Sequence, residues 1–278
     1  MADRQQPRSV LISGGARGIG RALARRFCER GDNVYILDID EAELKHTAHA
    51  HLQPHWLAGR LAWSTCDLRS VGEIRKKVRA AAEGTLRGRI DVLVNNGGIS
   101  APRWKDGRTM ADEETFDEWQ AYIETNLTAP FAVSQASLPY MRVEPGSADA
   151  EHTSTSGPCI VHVASFRAHR SDPNQEGYAA SKTGQLGLMH SMAMSLSEVG
   201  IRVNTVSPGR VKVMHESKEG DEKGVEWASL NEEKDVQDHP SNRAGMPDDV
   251  VDAVEYLVNA GFVTGQELVV DGGASKKK

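Results

Sequence analysis

Cysteine is scarce in this chain. Cys28, Cys66 and Cys159 lie far apart, and no two share a metal-binding or redox spacing. That excludes a disulfide-built fold, and buried thiols in a reducing compartment account for the three. An excess of positive charge is missing too. The net charge is −6, which argues against nucleic acid or an anionic membrane as the main partner. No apolar run approaches the ~18 residues of a membrane span. Residues 1–8 are polar and lack the apolar core of a secretory signal, and Lys276-Lys277-Lys278 does not match a peroxisomal tripeptide. A cytoplasmic protein is expected, in which the sequon Asn126-Leu-Thr128 stays idle. His46, His49, His51 and His55 cluster, but no carboxylate or cysteine completes a metal pattern, so a solvated face is expected and no metal. No repeat, linker or second domain is visible.

What is there suits one α/β domain over 1–278, with 1–8 and 274–278 as tails. Hydrophobic residues make up 39% and charged residues 26% of 278, enough for a core. Ser9–Ile12 is a short β-type run, followed by Ser13-Gly14-Gly15-Ala16-Arg17-Gly18-Ile19-Gly20 and a helical stripe of Ile19, Ala22, Leu23 and Phe27. Strand, glycine turn and helix make the setting for a dinucleotide phosphate, because glycines let the backbone approach and the helix N-terminus favours an anion. A second strand, Asn33–Leu37, ends at Asp38, where a carboxylate can accept from an adenosine ribose diol. Asp40 with Glu43, and Ser70 with Glu73, offer helix caps. Leu61–Cys66 and the apolar run Ile90–Val94 read as further strands, and Ile201–Ser207 as the sixth. Phe116, Trp119, Ile123 and Phe131 mark the expected inward side of a long helix. Val143–Pro158 reads as a surface insert. Residues 215–238 hold nine acidic and three lysine side chains with little apolar periodicity.

The chemistry concentrates between Val161 and Lys182. A β-type run ends at Ser165, and a helical pattern opens at Tyr178. Tyr178 and Lys182, four apart, share one helix face. A phenol titrates near ~10, and an ammonium one turn away is expected to lower that. A serine hydroxyl at the strand end could hold a substrate oxygen, completing an acid–base site for an alcohol or carbonyl.

Ser165, Tyr178-x-x-x-Lys182 and the Gly14-x-x-x-Gly18-x-Gly20 spacing resemble the short-chain dehydrogenase/reductase family, from about Ser9 to Gly273. The resemblance implies a single Rossmann-type doubly wound parallel sheet of about seven strands, order 3-2-1-4-5-6-7, with helices on both faces. It implies cofactor contacts at Gly14, Arg17, Gly18, Ile19, Gly20 and Asp38. Asp67 would bind the adenine amino group, with Leu68 packed nearby. Asn95-Asn96-Gly97-Gly98 stands where the family usually has Asn-Asn-Ala-Gly, making Asn95 and Gly97 cofactor positions and the turn slightly looser. Asn126 would kink its helix and hold a relay water. Pro208, Gly209 and Val211 would face the nicotinamide, while Val213 replaces a threonine that often bonds the same group. Lys182 would also hold the nicotinamide ribose beside Tyr178. Residues 210–246 correspond to the substrate-covering segment.

The implied reaction is hydride exchange between a nicotinamide and a secondary alcohol or ketone. Asn126, Ser165, Tyr178 and Lys182 are the catalytic candidates. Asp38 favours NAD(H), since it would repel a 2′-phosphate, and Ile39 adds no cation. NADP(H) is the alternative, because some family members reach that phosphate with a base at the Arg17 position. A homo-oligomer, tetramer or dimer, is implied by apolar residues on several faces of the long helices. Two other functions fit the same fold: a catalytically silent nucleotide sensor or scaffold, and a pathway enzyme of dehydration or cyclisation.

Overall fold

A computed structural model describes residues 6–141 and 156–277. Seven strands form one parallel sheet: β1 (Ser9–Ser13), β2 (Asn33–Asp38), β3 (Leu61–Thr65), β4 (Val92–Asn95), β5 (Cys159–Val163), β6 (Arg202–Pro208) and β7 (Glu267–Val270). Their order is β3-β2-β1-β4-β5-β6-β7, as expected. β1, β4, β5 and β6 are buried along their whole length. That explains their apolar character, since a parallel sheet is covered on both faces.

One face packs on α1 (Gly18–Glu29) and the helix Pro247–Asn259, with Val10, Ile12, Leu23, Phe27, Val254 and Leu257 among its core. The other packs on α4 (Val71–Glu83), α6 (Ala129–Ser137) and α7 (Glu176–Ser195). There Leu11, Leu93, Ile160, Val203, Ile74 and Met189 meet. Each such side chain contributes about 1.5–3 kcal/mol when fully buried. The cysteines belong to these layers, and burial pushes Cys28 and Cys66 up to about 12 and Cys159 to about 11. They are inert thiols.

Between β2 and β3 the chain forms α2 (Glu41–His46), a π-helical turn (Thr47–His51) and α3 (Gln53–Leu57). Asp40 caps α2 by accepting from the Glu43 amide at 3.1 Å. Glu43 does not close the box; its carboxylate accepts from the Lys218 amide at 2.9 Å. Ser70 caps α4 through the Glu73 amide at 3.3 Å.

α5 (Thr115–Ile123) corrects one expectation. Phe116, Trp119 and Phe131 are 62%, 36% and 47% exposed, and Tyr122 is the buried aromatic. An aromatic-rich helix has several candidate stripes, and the loop of residues 99–108 decides which one turns inward. Most of the expected insert, 142–155, lies outside the described residues. No helix among the described residues is long and apolar enough to cross a membrane.

Candidate active site

The site forms along the carboxyl edge of the sheet, where the loops after β1, β2, β4, β5 and β6 converge. After β1 the chain turns through Gly14, at φ +66°, and Gly18, at φ +60°. A Cβ on Gly20 would meet the Gly14 carbonyl oxygen at 1.9 Å, so only glycine lets α1 start this close to the strand. The α1 N-terminus suits a pyrophosphate. Arg17 stands at the cap without a side-chain hydrogen bond, and the first turn carries no acidic residue. The Ile19 and Gly20 amides are two of the first-turn donors there. The Gly18 amide is already taken by the Glu216 carbonyl at 2.7 Å.

Asp38 ends β2 facing this loop. Its carboxylate accepts from Ala16 at 3.1 Å and from Asp40 at 3.2 Å. Arg17 is exposed. Asp67 turns its own loop by accepting from the Arg69 amide at 2.9 Å. Gly97 is not a loosened alanine: a Cβ there would stand 2.4 Å from Leu68 Cδ1. The Leu68 methyl has filled that space.

Asn95 needs a correction. Its side chain is buried on the α6 side, donating to Ser134 Oγ at 3.0 Å and lying 3.3 Å from His162 Nδ1. It supports the sheet and does not face the cofactor loop. The next residue does: Asn96 donates to the Gly14 carbonyl at 2.7 Å. Successive residues of a strand point to opposite faces, so the paired asparagines divide the work.

Ser165, Tyr178 and Lys182 come together as expected, all nearly buried. The Ser165 hydroxyl is near enough to the Tyr178 phenol to favour its ionised form. Lys182 Nζ lies 5.8 Å from the Tyr178 ring centroid and donates to the Val163 carbonyl at 2.9 Å. The phenol is not lowered here as expected. Burial pushes Tyr178 up, opposed by the Ser165 hydroxyl and the Arg167 charge. Burial also brings Lys182 down to about 8, which leaves it roughly nine-tenths charged at pH 7.

Asn126 is fully buried in a π-helical turn, Glu124–Thr128, between α5 and α6. Such turns often mark functional sites. Its Oδ1 accepts from the Ile99 amide at 2.8 Å, and its Nδ2 donates to the Ile99 carbonyl at 3.2 Å and to Ser181 Oγ at 3.2 Å. The side chain therefore ties the loop after β4 to α7. Gly98 lies over both groups: a Cβ there would be 2.8 Å from Asn126 Oδ1 and 3.8 Å from Lys182 Nζ.

Several contributors had no sequence signal of their own. Tyr122 stacks edge-on against Tyr178 at 6.1 Å and against Trp104 at 5.7 Å. Trp104 is fixed by donating to Glu176 at 2.9 Å. Gly177 makes room, since a Cβ there would meet both rings within 2.8 Å. After β6, Pro208 and Gly209 turn tightly over Asp271, whose Cα would stand 2.7 Å from a Gly209 Cβ. Val211 bridges to Gly245. Val213 lies against Gly18, 3.4 Å from where a Cβ would stand.

The acidic segment after Val213 is tied down by ions. Arg21 of α1 is fully buried. It donates to Glu216 at 2.8 Å, to Asp221 at 2.6 and 3.1 Å, and to the His215 carbonyl at 2.8 Å. Arg25 adds a 2.5 Å contact to Glu216. The histidines are not simply a solvated face. His46 meets Asp221 at 2.7 Å, His51 lies within 3.9 Å of Glu216, and His49 packs on Trp56. No metal-binding group of three ligands occurs among the described residues.

A family model described as enoyl-(acyl carrier protein) reductase matches residues 14–275. The chain belongs to the short-chain dehydrogenase/reductase family. It is similar to an uncharacterized oxidoreductase of Thermotoga maritima, 32% identical over 271 residues and 96% of both chains. It also resembles a 3-oxoacyl-[acyl-carrier-protein] reductase of Chlamydia pneumoniae, 29% identical over 96% of each. Among solved structures, a blue fluorescent protein from a metagenomic library, in complex with NADPH, aligns at TM-score 0.77 and 27% identity. That match covers 98% of this chain and 99% of the other. As a short-chain dehydrogenase/reductase, the protein is an NAD(P)-dependent oxidoreductase acting on C=O and CH–OH groups.

Proposed function

We propose that this protein interconverts a secondary alcohol and a ketone through Ser165, Tyr178, Lys182 and Asn126, with 1–278 acting as one catalytic domain. The observation that carries the reading is the buried cluster of Ser165, Tyr178 and Lys182 beside an anion-ready glycine helix. When bound, the nicotinamide supplies or accepts the hydride. Ser165 holds the substrate oxygen and stabilises negative charge developing on it. Tyr178 gives a proton to that oxygen in reduction and takes one in oxidation. Lys182 favours the phenolate when it forms, and also holds the nicotinamide ribose. Asn126 fixes the loop after β4 against α7, which keeps the Lys182 environment closed.

Asp38, held at the β2 end by two amides, would accept from the adenosine ribose and disfavour a 2′-phosphate. We therefore assign NAD(H) as the preferred cofactor, with Arg17 the group that would favour NADP(H). Gly14, Gly18, Ile19, Gly20, Asp67, Leu68, Gly97, Pro208, Gly209 and Val211 line the cofactor path. Residues 210–246 cover the substrate.

The experiment is a carbonyl panel assayed by the absorbance of reduced nicotinamide, with the wild type and Tyr178→Phe. Wild-type turnover is expected on at least one ketone. The variant should lose it by a hundredfold or more while cofactor affinity stays within a few-fold, since only the transferable proton is removed. An equally active variant would sink the assignment of Tyr178. A wild type that binds nicotinamide but turns over nothing would favour the sensor or scaffold reading.

A further inference from the structure

Charge is unevenly spread around the mouth of the site. The chain as a whole carries −6, yet the loops after β4 and β5 set three arginines around one carboxylate. Arg167 pairs with Asp172 at 2.6 Å, and the Arg103 and Arg170 charges act on the same group. Together they hold the Asp172 carboxyl below its usual range. Glu176 is the other acid here, accepting from Trp104 Nε1 at 2.9 Å. Three guanidinium groups against two carboxylates leave about one positive charge in excess.

Arg167 is the arginine built into the site. It lies two residues after Ser165, in the 3-10 turn Phe166–Ala168, and its amide donates to Ser165 Oγ at 3.2 Å. Thr183 of α7 pins this turn by donating to the Ala168 carbonyl at 3.0 Å. The side chain folds over its neighbour, with Cζ 4.7 Å from the Phe166 ring centroid, and is 18% exposed. The two loops are also tied to each other. The Trp104 amide donates to the Asn174 carbonyl at 3.3 Å, and the Tyr122 hydroxyl donates to the Ala101 carbonyl at 2.6 Å.

Only Nη2 of Arg167 is engaged. Its Nε and Nη1 meet no partner among the described residues. A guanidinium is a planar fork that matches a carboxylate edge to edge. Phe166 and Asp172 hold this fork in place, so little freedom remains to be lost when an anion binds. The Arg167 charge is also felt by the Tyr178 phenol, the group that meets the substrate oxygen. The rest of this wall is apolar, formed by Ile99, Trp104 and Tyr122 packed against Tyr178. A wall with one charged fork and an aromatic remainder discriminates by charge at that one point.

We propose that Arg167 is a specificity-determining residue that binds a carboxylate on the substrate, so that the ketones this protein reduces are oxo acids and the alcohols it oxidises are hydroxy acids. The inference rests on the catalytic reading above and names the substrate class of that same site. The excess of one positive charge matches a monoanion better than a doubly charged phosphate. Asp172 stays as counter-ion to one edge of the guanidinium and orients the other. Arg103 and Arg170 are exposed, and they steer the anion towards the mouth. In reduction, hydride adds to the carbonyl carbon and the Tyr178 proton passes to its oxygen. The carboxylate enters and leaves unchanged.

The test compares 2-oxo, 3-oxo and 4-oxo acids with their own methyl esters. For the best acid, wild-type kcat/KM should exceed that of the ester by about thirtyfold or more, the value of a hydrogen-bonded charge. Arg167→Gln should remove this preference, chiefly by raising KM for the acid, and the ester should lose at most a tenth as much. Arg167→Lys should restore part of it, because the charge returns without the fork. Added salt should raise KM for the acid and leave that of the ester. Esters turned over as well as acids, or a preference that survives in Arg167→Gln, would overturn the proposal. So would an oxoalkyl phosphonate or a coenzyme A thioester preferred to every oxo acid. Calorimetry gives a readout without turnover. Tyr178→Phe loaded with reduced nicotinamide should bind the best oxo acid, and adding Arg167→Gln should weaken that binding about thirtyfold. Equal binding with and without Arg167 would refute the carboxylate site, whereas a fully active Tyr178→Phe would refute the catalytic reading and leave the binding result to stand by itself.

Discussion

Replacing Arg21 by methionine should cost about as much stability as truncating a core side chain of α1. The guanidinium is fully buried, and its partners Glu216 and Asp221 have side chains only 4% and 29% exposed. Methionine keeps the aliphatic stem and removes the charge. What is left is a nearly buried carboxylate beside a second one, and breaking such a pair costs about 3–5 kcal/mol. Two features push towards the lower end: Arg25 still holds Glu216, and Asp221 can turn to water or keep His46. We expect a loss of about 3 kcal/mol, read as a lower urea midpoint with an unchanged slope. In heating, that corresponds to a fall of roughly 6–12 °C at fixed protein concentration. Glu216→Gln alone should cost less, because a neutral amide is easier to bury. The double variant should fall short of the sum by about 1–2 kcal/mol. A loss below ~1 kcal/mol for Arg21→Met, or strict additivity of the pair, would refute the idea that these ions hold the segment to the helix.

Asp38→Ala should shift the ratio of kcat/KM for NAD(H) over NADP(H) downward by about tenfold or more, since a repulsion and a ribose hydrogen bond are both removed. A wild type that already prefers the phosphorylated cofactor would show that Arg17 outweighs Asp38. His162 predicts a pH signature. Its folded-state value, about 4, lies below the ordinary 6.5, so the unfolded chain binds the extra proton. Stability should fall as pH drops from 6.5 to about 4, by about 3 kcal/mol from this group. His162→Asn should remove that part of the slope in urea titrations across the range; an unchanged slope would contradict the burial. The exposed Phe116, Trp119 and Phe131 predict association of copies along α5 and α6. Light scattering at micromolar concentration should give a dimer or tetramer, and a monomer would refute it.

The strands and their order were legible because each ends in a signal with a physical cause. Gly14–Gly20, Asp38, Asp67 and Asn95 close apolar runs, and those runs are apolar because both faces are covered. Tyr178 and Lys182 were legible because helix spacing fixes their mutual position. Tyr122 was not, because periodicity alone cannot choose among stripes containing Phe116, Trp119, Tyr122 and Ile123. The choice came from Trp104, in a loop with no pattern. Asn95, not Asn96, was the expected cofactor position, and strand parity, which the sequence does not display, sets which of the two side chains faces the glycine loop. His162, in the alternation Val161-His162-Val163, reads as an outward residue. It is inward because α7, which begins at Glu176 beyond the intervening loop, covers that face. Arg21 carries no signal of its own in the sequence, and the acidic segment some 195 residues later makes it a core residue.

The 2.7 Å hydrogen bond from the Gly18 amide to the Glu216 carbonyl has a thermodynamic corollary. One turn of helix serves two clients, the proposed phosphate site on one side and the acidic segment after Val213 on the other. A ligand that moves residues 213–221 acts on the same glycines, so its binding and that of the dinucleotide are linked. By linkage each changes the other's affinity by the same factor. The two half-sites then fill as a coupled pair, and the order in which they fill can change only the route, never the size of the coupling.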